Sequence, residues 1–401
     1  MENNNDNKVL NVPHLRFPEF SGEWKKHSLG EIGETIIGLT YKPSDVVDNN
    51  GIIVFRSSNI KNGMIDYSDL VRVNKHIKDK IITKENDILV CARNGSQRLI
   101  GKNAIIKQED ANNTFGAFMM VYRANDNPFI LPLLSTKKYF SQVGENLGAR
   151  INQITTSDFN GFEFYFPENH AERTKIAELF RLLDERIATQ NKIIEKLQSL
   201  IKGLIDDIIT LKCGQLVAFE TLYSKAGEGG TPTTSNTEFY DNGSIPFIKI
   251  DDLSNKYLSA NKDYITELGL KKSSAWLIPT HSIIYSNGAT IGAISINKYP
   301  VCTKQGILGI VPNTNIDVEF LYYFMQSSYF QKEVERVVTE GTMKTAYLKD
   351  INHIKCPIPD LDRQKEISHL LSVLSLKEDV ERQLLQKYQI QKQYLLRKMF
   401  I

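Results

Sequence analysis

FRLLDERIATQNKIIEKLQSLIKGLIDDIITL, residues 180–211, carries an apolar heptad repeat. One series of positions spaced by seven holds Phe180 and four isoleucines, and a second series holds mainly leucines. A repeat of 3.5 residues is typical of a coiled-coil seam rather than of a helix lying on a broad core. The stretch therefore predicts a long helix whose seam consists of Leu183, Ile187, Ile194, Leu197, Ile201, Leu204 and Ile208.

The same pattern occurs a second time near the end of the chain. FYFPENHAERTKIAELFRLLDERI (164–187) is echoed by KCPIPDLDRQKEISHLLSVLSLKE (355–378), with a proline, an acidic residue, a basic cluster, an isoleucine and a run of leucines. Self-similarity at a fixed separation indicates a duplicated architecture. The second helix places Leu374, Leu385 and Leu395 in its seam, whereas Glu378, Glu381 and Lys392 weaken it.

Each predicted helix needs a partner for its apolar seam. The simplest partner is the other helix of the same chain, in an antiparallel coiled coil with an internal pseudo-two-fold axis. Two alternatives stay open at this point: each helix packs on its own domain, or each helix pairs with a second copy of the chain.

The stretches that precede the two helices also resemble one another. DILVCARNGSQRLIGKNAII (87–106) aligns with SIIYSNGATIGAISI (282–296), and short β-type runs such as Ile52–Phe55 alternate with Gly- and Asn-rich turns. Apolar periodicity predicts helices over 128–143 and 318–337. The prediction is an α+β fold of two mixed α/β domains and two long helices. Its boundaries are a disordered tail over 1–13, a first domain over 14–168, a spacer helix over 169–211, a second domain over 212–358 and a second spacer helix over 359–401.

Composition excludes several classes of protein. The 401 residues are 41% hydrophobic and 24% charged, without an apolar run long enough to span a membrane, and the polar start MENNNDNKVLN is unlike a signal peptide. The net charge of +2 gives no support by itself to nucleic-acid binding. The four cysteines are scattered without a CxxC pair, which favours a reducing, cytoplasmic location and argues against structural zinc.

Candidate catalytic motifs fail on spacing. GSQRLIGK (95–102) has five residues between its glycines where a phosphate-binding loop needs four, and Asn103 follows Lys102 in place of Ser or Thr. Asn127-Pro128-Phe129 lacks the second proline of the adenine methyltransferase motif. No candidate catalytic motif is therefore complete, and the scattered cysteines and histidines predict no metal site.

Polar side chains cluster instead in loops between strands. Arg, Lys, Asn and Gln read base edges bidentately, and Arg and Lys also bind phosphates. Surface loops are usually polar in any protein, so each assignment is a hypothesis. The candidate DNA-binding residues are Arg56, Ser57, Asn59, Lys61, Arg93, Asn94, Gln97, Arg98 and Lys102 in the first half, and Lys249, Asp251, Asn287, Thr290, Lys304, Gln305, Lys344 and Thr345 in the second.

The whole layout resembles the specificity subunit of Type I restriction–modification systems. The resemblance rests on the duplicated order, the two helices and the glycine-containing turns LVCARNGSQRLIGK (89–102) and IYSNGATIGAI (284–294), and it extends from Val12 to Ile401. It implies that each domain reads one half of a bipartite, asymmetric DNA site. It also implies that the helices set the spacing and bind two methyltransferase subunits, with restriction subunits joining them. By this resemblance the chain has no catalytic residue and binds no cofactor of its own, and S-adenosylmethionine, ATP and magnesium would belong to those partners.

Two other classes of protein remain compatible with the sequence. One is a stand-alone DNA-binding or scaffold protein that dimerises through the coiled coil. The other is an enzyme whose site motif comparison does not reveal.

Overall fold

The computed structural model describes residues 10–147, 152–210, 214–288, 290–339 and 344–401, and for residues 208–210 it describes the backbone alone. Within these ranges the chain forms two units. Unit 1 consists of Met1–Gln190 and Leu384–Ile401, and unit 2 consists of Asn191–Gln383. Each long helix therefore contributes one part to each unit.

Unit 1 contains twelve strands among its described residues. They are β1 (Lys25–Ser28), β2 (Glu34–Ile37), β3 (Val46–Val47), β4 (Ile52–Phe55), β5 (Ile60–Lys61), β6 (Met64–Ile65), β7 (Arg72–Val73), β8 (Ile88–Cys91), β9 (Asn103–Ile105), β10 (Thr114–Phe115), β11 (Met119–Arg123) and β12 (Glu163–Phe166). Its helices are α1 (Leu29–Ile32), α2 (Asn127–Leu133), α3 (Lys137–Leu147), α4 (Thr156–Asn160), the first part of α5 (His170–Thr210) and the last part of α10 (Leu361–Met399).

Unit 2 repeats much of this order. Its strands are β13 (Gln215–Ala218), β14 (Tyr223–Glu228), β15 (Ile245–Ile248), β16 (Asp263–Ile265), β17 (Ile283–Ser286), β18 (Ile294–Ile296), β19 (Cys302–Thr303), β20 (Ile307–Pro312) and β21 (Lys355–Ile358). Its helices are the last part of α5, α6 (Glu267–Lys271), α7 (Val318–Gln326), α8 (Ser328–Val337), α9 (Leu348–Ile351) and the first part of α10.

The sheets of the two units have matching topologies. Unit 1 has a four-stranded sheet in the order β2-β11-β8-β9, and unit 2 has one in the order β14-β20-β17-β18, both with antiparallel neighbours. The parallel pair β4–β10 corresponds to the parallel pair β15–β19. The antiparallel pairs β1–β12 and β13–β21 lead directly into α5 and α10. The predicted duplication of a mixed α/β domain is confirmed.

The two helices predicted over 128–143 and 318–337 are each interrupted. The hydroxyl of Thr136 accepts a hydrogen bond from the backbone N–H of Tyr139 (3.3 Å), and that of Ser327 accepts one from Phe330 (3.1 Å). A hydroxyl that caps a new first turn ends the preceding helix, because it satisfies donors that a continuous helix would use internally. Apolar periodicity runs through both interruptions, which is why it predicted single helices.

The heptad pattern matches the burial of the long helices. On α5 every predicted seam position whose side chain is described is buried or half-buried; the side chain of Ile208 lies outside the described residues. On α10 the half-buried positions include the three charged ones, Glu378, Glu381 and Lys392. In unit 1 the Lys392 ammonium pairs with the Asp184 carboxylate. A polar cross-helix pair thus accommodates a charge in the seam.

Contacts within each unit show that the two helices run antiparallel. In unit 1, near the start of α5, Phe180 packs in one core with Leu396 and Met399 from the end of α10. In unit 2, Ile205 near the end of α5 packs with Ile367, near the start of α10. The prediction of an intrachain antiparallel coiled coil is confirmed, and each pair of helix ends is also part of a domain core.

In unit 1, a segment that precedes β1 binds the start of α5. Arg16 forms a bidentate ion pair with Glu172, with Nε–Oε1 and Nη2–Oε2 distances of 2.7 and 2.8 Å. The Glu172 side chain is only 1% exposed. The backbone N–H of Leu15 donates to the carbonyl of Lys398 (2.8 Å), which joins this segment to the end of α10.

Candidate nucleic-acid interface

Three loops of unit 1 meet where strand β8 ends. The carbonyl of Phe118, in the turn before β11, accepts hydrogen bonds from the backbone N–H groups of Ala92 and Arg93, both at 3.0 Å. The N–H of Ile154 donates to the carbonyl of Ala92 (2.9 Å). Because backbone bonds fix all three loops to one strand end, the backbone that carries the side chains between them has a defined position.

Unit 2 has the same arrangement at the end of β17. The carbonyl of Gly306, in the turn before β20, accepts from the N–H groups of Asn287 and Gly288, at 3.1 and 3.2 Å. The N–H of Ala346 donates to the carbonyl of Asn287 (2.9 Å). Each unit therefore contains the same set of backbone hydrogen bonds between three loops, and we call this arrangement the three-loop frame.

Sheet register shows which residues are equivalent in the two frames. Cys91 pairs with Met119 in unit 1, and Ser286 pairs with Ile307 in unit 2. By this register Arg93 corresponds to Gly288, and Phe118 corresponds to Gly306. An alignment on the shared Asn-Gly dipeptide alone is displaced by two residues, since it would match Asn94 with Asn287.

Several predicted residues of unit 1 project from this frame. Arg93 is exposed, and its guanidinium lies over the ring of Phe118 at 5.2 Å from the centroid. Gln97 and Arg98 are exposed on a short 3-10 turn, Gln97–Leu99. Lys102 is half-buried just before β9. These cations and amides lie on the loop that follows β8, where a DNA backbone or base edge could meet them.

Other predicted residues of unit 1 hold the neighbouring loop in place. The Asn94 amide donates to the Ser57 hydroxyl (2.9 Å), which ties the loop after β4 to the loop after β8. Asn59 is fully buried: its Oδ1 accepts from the backbone N–H of Arg56 (2.8 Å), and its Nδ2 donates to the carbonyl of Asp69 (2.8 Å). The Asn59 side chain therefore shapes this loop from inside.

Two predicted cations of unit 1 already have acidic neighbours. Arg56 forms an ion pair with Asp69 at 2.8 Å, and Lys61 forms one with Asp66 at 3.0 Å. Hydrogen bonds from Ser68 and then Lys61 lower the pKa of Asp66 to about 2, so its carboxylate stays charged at neutral pH. DNA phosphates would have to compete with these carboxylates for the two cations.

Unit 2 gathers its predicted residues on the same three loops. Thr290, Lys304, Gln305 and Lys344 are exposed, and Thr345 is half-buried. Lys304 and Gln305 precede Gly306 directly, and Thr345 precedes Ala346, so the frame carries these side chains on adjacent loops. Thr290 and Thr345 are 55 residues apart in the sequence, and the fold brings the loops that carry them together.

The remaining predicted residues of unit 2 have more internal roles. Asn287 is buried, and its amide donates to the carbonyl of Ala346 (3.2 Å). Lys249 forms an ion pair with Asp263 at 2.8 Å, whereas Asp251 is exposed on the next turn. Asn287 thus supports the frame, and the loop after β15 offers both a paired cation and an open carboxylate.

Phe118 lies in this candidate interface, although the sequence did not single it out. Its side chain is 60% exposed beside Arg93. In the sequence it stands in FGAFMMVY, where it reads as part of the apolar strand that follows. A turn signal, Gly116-Ala117, was present, but alone it does not show that the next aromatic faces outward.

No helix in the described part of the chain is long and apolar enough to cross a membrane.

Comparison with known proteins shows the family to which the chain belongs. The Type I restriction modification DNA specificity domain matches this chain twice, over residues 21–199 and 223–388. The two matches coincide with the two halves of the duplication.

Individual relatives agree with this match. The chain is 28% identical over 215 residues to the specificity subunit of the Type I restriction enzyme EcoR124I/EcoR124II from Escherichia coli, covering 51% of this chain and 53% of that subunit. It is 26% identical to the putative Type I restriction enzyme MjaX specificity subunit of Methanocaldococcus jannaschii, covering 96% and 94% of the two chains.

A solved structure shares the fold. The crystal structure of the S subunit of a Type I restriction-modification system from M. genitalium has a TM-score of 0.60 at 17% identity, and covers 97% of this chain and 99% of that one. The duplicated fold and the double family match lead to one conclusion, which confirms the resemblance: the chain belongs to the Type I restriction–modification specificity subunits, whose part is DNA specificity rather than catalysis.

Proposed function

We propose that the three-loop frame of each unit reads one half of a bipartite DNA site. The observation that carries this proposal is that the same backbone frame occurs twice with different side chains on it. A fixed frame holds side chains at reproducible positions, and the differing side chains select different bases. The two half-sites should therefore differ, and the whole site should not be palindromic.

Methylation mapping tests this proposal directly. The chain would be produced in cells together with its methyltransferase subunit, and modified adenines would be located genome-wide. Two unlike short sequences separated by unspecified base pairs are expected. A palindromic site, or methylation without sequence preference, would contradict the two-reader proposal.

We also propose that the helices bind methyltransferase subunits. An apolar stripe supports this: four side chains of α10 within unit 2 are between 48% and 64% exposed and share one helix face by their spacing. The stripe consists of Leu370, Val373, Leu376 and Val380. Exposed apolar residues arranged along one face are typical of a protein-binding surface, since burial on a partner removes them from water.

Leu376→Glu tests the stripe without disturbing the core, because Leu376 is 64% exposed. The variant should lose co-purification with the methyltransferase subunit while its thermal unfolding stays unchanged. Leu277→Glu is the matched control, since Leu277 is an exposed leucine (48%) of unit 2 outside α10. Equal capture by both variants would exclude the stripe as the binding surface.

We further propose that the helices set the gap between the half-sites. The boundary between the units crosses α5 between Gln190 and Asn191, and crosses α10 between Gln383 and Leu384. One heptad inserted at both points keeps every contact inside either unit. The insertion adds ~10 Å of helix, or about three base pairs at ~3.4 Å each.

The same half-sites should then be methylated with a gap about three base pairs longer. A heptad in α5 alone is the control, because it breaks the match between the seams and should abolish assembly. An active double insertion that keeps its original gap would refute the spacing role.

In this proposal the chain binds no cofactor of its own. S-adenosylmethionine would be bound by the methyltransferase subunits, and ATP and magnesium by restriction subunits. The complex would act in the cytoplasm, where the DNA is.

A further inference from the structure

Phe118 and Arg93 form a side-chain pair at the centre of the unit 1 frame. The guanidinium lies 5.2 Å from the ring centroid, within the range of a cation–π contact. Both residues are exposed, and their backbones are joined by the N–H of Arg93 and the carbonyl of Phe118 (3.0 Å). The two side chains therefore project from the frame side by side.

The turn that carries Phe118 is itself fixed. The N–H of Gly116 donates to the carbonyl of Phe55 (2.9 Å), and the carbonyl of Gly116 accepts from the N–H of Met119 (2.8 Å). A single exposed apolar side chain is ordinary on a protein surface. An aromatic residue on a turn fixed by backbone bonds, among candidate DNA-contacting side chains, has the defined backbone position that a ligand contact needs.

The equivalent positions of unit 2 hold no side chain at all. Gly288 and Gly306 occupy the places of Arg93 and Phe118, and Gly306 has a φ of +88°, which disfavours any residue with a Cβ. The same frame thus carries a cation with an aromatic ring in one unit and bare backbone in the other. The two frames share their backbone hydrogen bonds but differ in these side chains and, at Gly306, in backbone conformation, as two readers of different sequences should.

We propose that Phe118 is a specificity-determining residue that recognises the C5-methyl group of a thymine in the half-site read by unit 1. Arg93, held beside the ring, would contact an adjacent guanine. In the major groove thymine alone presents a methyl group, which apolar side chains contact, and guanine presents the two acceptors that arginine binds bidentately. The inference rests on the proposed function, since it assumes that the frame faces DNA.

Deoxyuridine isolates this contact, because it differs from thymidine only by the missing methyl. Once methylation mapping has given the site, duplexes with a single thymine replaced by uracil would be titrated with the methyltransferase complex. At one thymine the wild-type complex should lose about fourfold in affinity, or ~0.8 kcal/mol, the value of one buried methyl-sized group. Phe118→Ala should bind the unmodified duplex about fourfold more weakly and show no further loss with uracil there.

Two further variants separate recognition from folding. Phe118→Leu keeps an apolar contact and should retain part of the thymine preference. Phe140→Ala removes another exposed aromatic of unit 1 (47% exposed), on α3, and should keep the full preference. Thermal unfolding of Phe118→Ala should match that of the wild type, since the ring is largely exposed.

The outcomes distinguish this inference from the proposed function. If a bipartite site is found but no uracil effect depends on Phe118, the thymine contact is refuted and the two-reader proposal stands. Equal weakening of Phe118→Ala on thymine and uracil duplexes also refutes it. If no sequence-specific methylation occurs, the proposed function itself fails.

Discussion

Removing the Arg16 side chain should destabilise unit 1 far more than removing an exposed cation. Arg16 is 15% exposed and Glu172 is 1% exposed, and two hydrogen bonds of 2.7 and 2.8 Å join them. In Arg16→Ala the Glu172 carboxylate stays buried without its counter-charge. Breaking a buried pair in this way costs ~3–5 kcal/mol. We expect a value near ~3 kcal/mol, because water can enter the space that the arginine leaves.

The chain offers a separate fluorescence reporter for each unit. Trp24 is buried in unit 1, and Trp276 lies in unit 2. In a Trp276→Phe background, urea unfolding followed by tryptophan emission reports on unit 1 alone, which avoids treating a two-unit protein as a single transition. Arg16→Ala should shift the urea midpoint strongly downward without changing the slope.

Two variants control this experiment. Lys80→Ala breaks the exposed pair with Glu34 (3.4 Å; 67% and 52% exposed) and should leave the midpoint almost unchanged. Arg16→Ala with Glu172→Gln should recover part of the loss, since the buried group is then neutral. A loss in Arg16→Ala as small as that in Lys80→Ala would show that Glu172 is hydrated in solution, and the reasoning would be wrong.

Three other expectations follow from the structure. Burial raises the pKa values of the thiols of Cys91, Cys302 and Cys356 to about 11, 11 and 12. In a Cys213→Ser background at pH 8, a thiol reagent should therefore modify the chain only after unfolding. Burial raises the pKa of Glu319, but hydrogen bonds from Lys256, Ser372 and Tyr257 outweigh it, so the pKa is lowered overall. Its contribution to stability is present above the ordinary carboxyl range and is lost as the pH falls through the folded-state pKa. In a Trp24→Phe background, the difference in stability between the parent chain and Glu319→Gln, followed by Trp276 emission, should close in acid and not in base. Leu197→Asp places a carboxylate at a buried position (9% exposed) and should lower stability by several kcal/mol; normal unfolding of this variant would show that Leu197 is not in the seam.

The sequence alone was sufficient for the long helices and the duplication. Heptad periodicity indicates which face of a helix is buried. Because this signal lies within the helix's own sequence, it predicts the buried face without knowledge of the partner helix. The similarity of residues 164–187 to residues 355–378 then implied two similar domains. The seam of α10 was harder to read, because its polar positions are compatible with burial only through partners such as the Asp184 carboxylate beside Lys392.

The candidate site was only partly predictable. Residue type pointed to the loops that carry Arg93 and Lys304, since cations and amides in turns stand out from apolar strands. Residue type did not distinguish Asn59 and Asn287, whose amides are buried, from exposed amides such as Gln97. That distinction depends on which backbone groups lie nearby, and this is a property of the folded loops.

By itself the sequence determined the class of fold, the coiled-coil seam and the loops with polar side chains. The tertiary structure alone decided which residues are equivalent in the two frames, because strand register matches Arg93 with Gly288 while the shared Asn-Gly dipeptide suggests another pairing. It also decided that Phe118 faces outward and that Arg16 binds Glu172, 156 residues away. Such contacts join segments that are distant along the chain, so no local pattern records them, and they exist only once the backbone hydrogen bonds have brought the segments together.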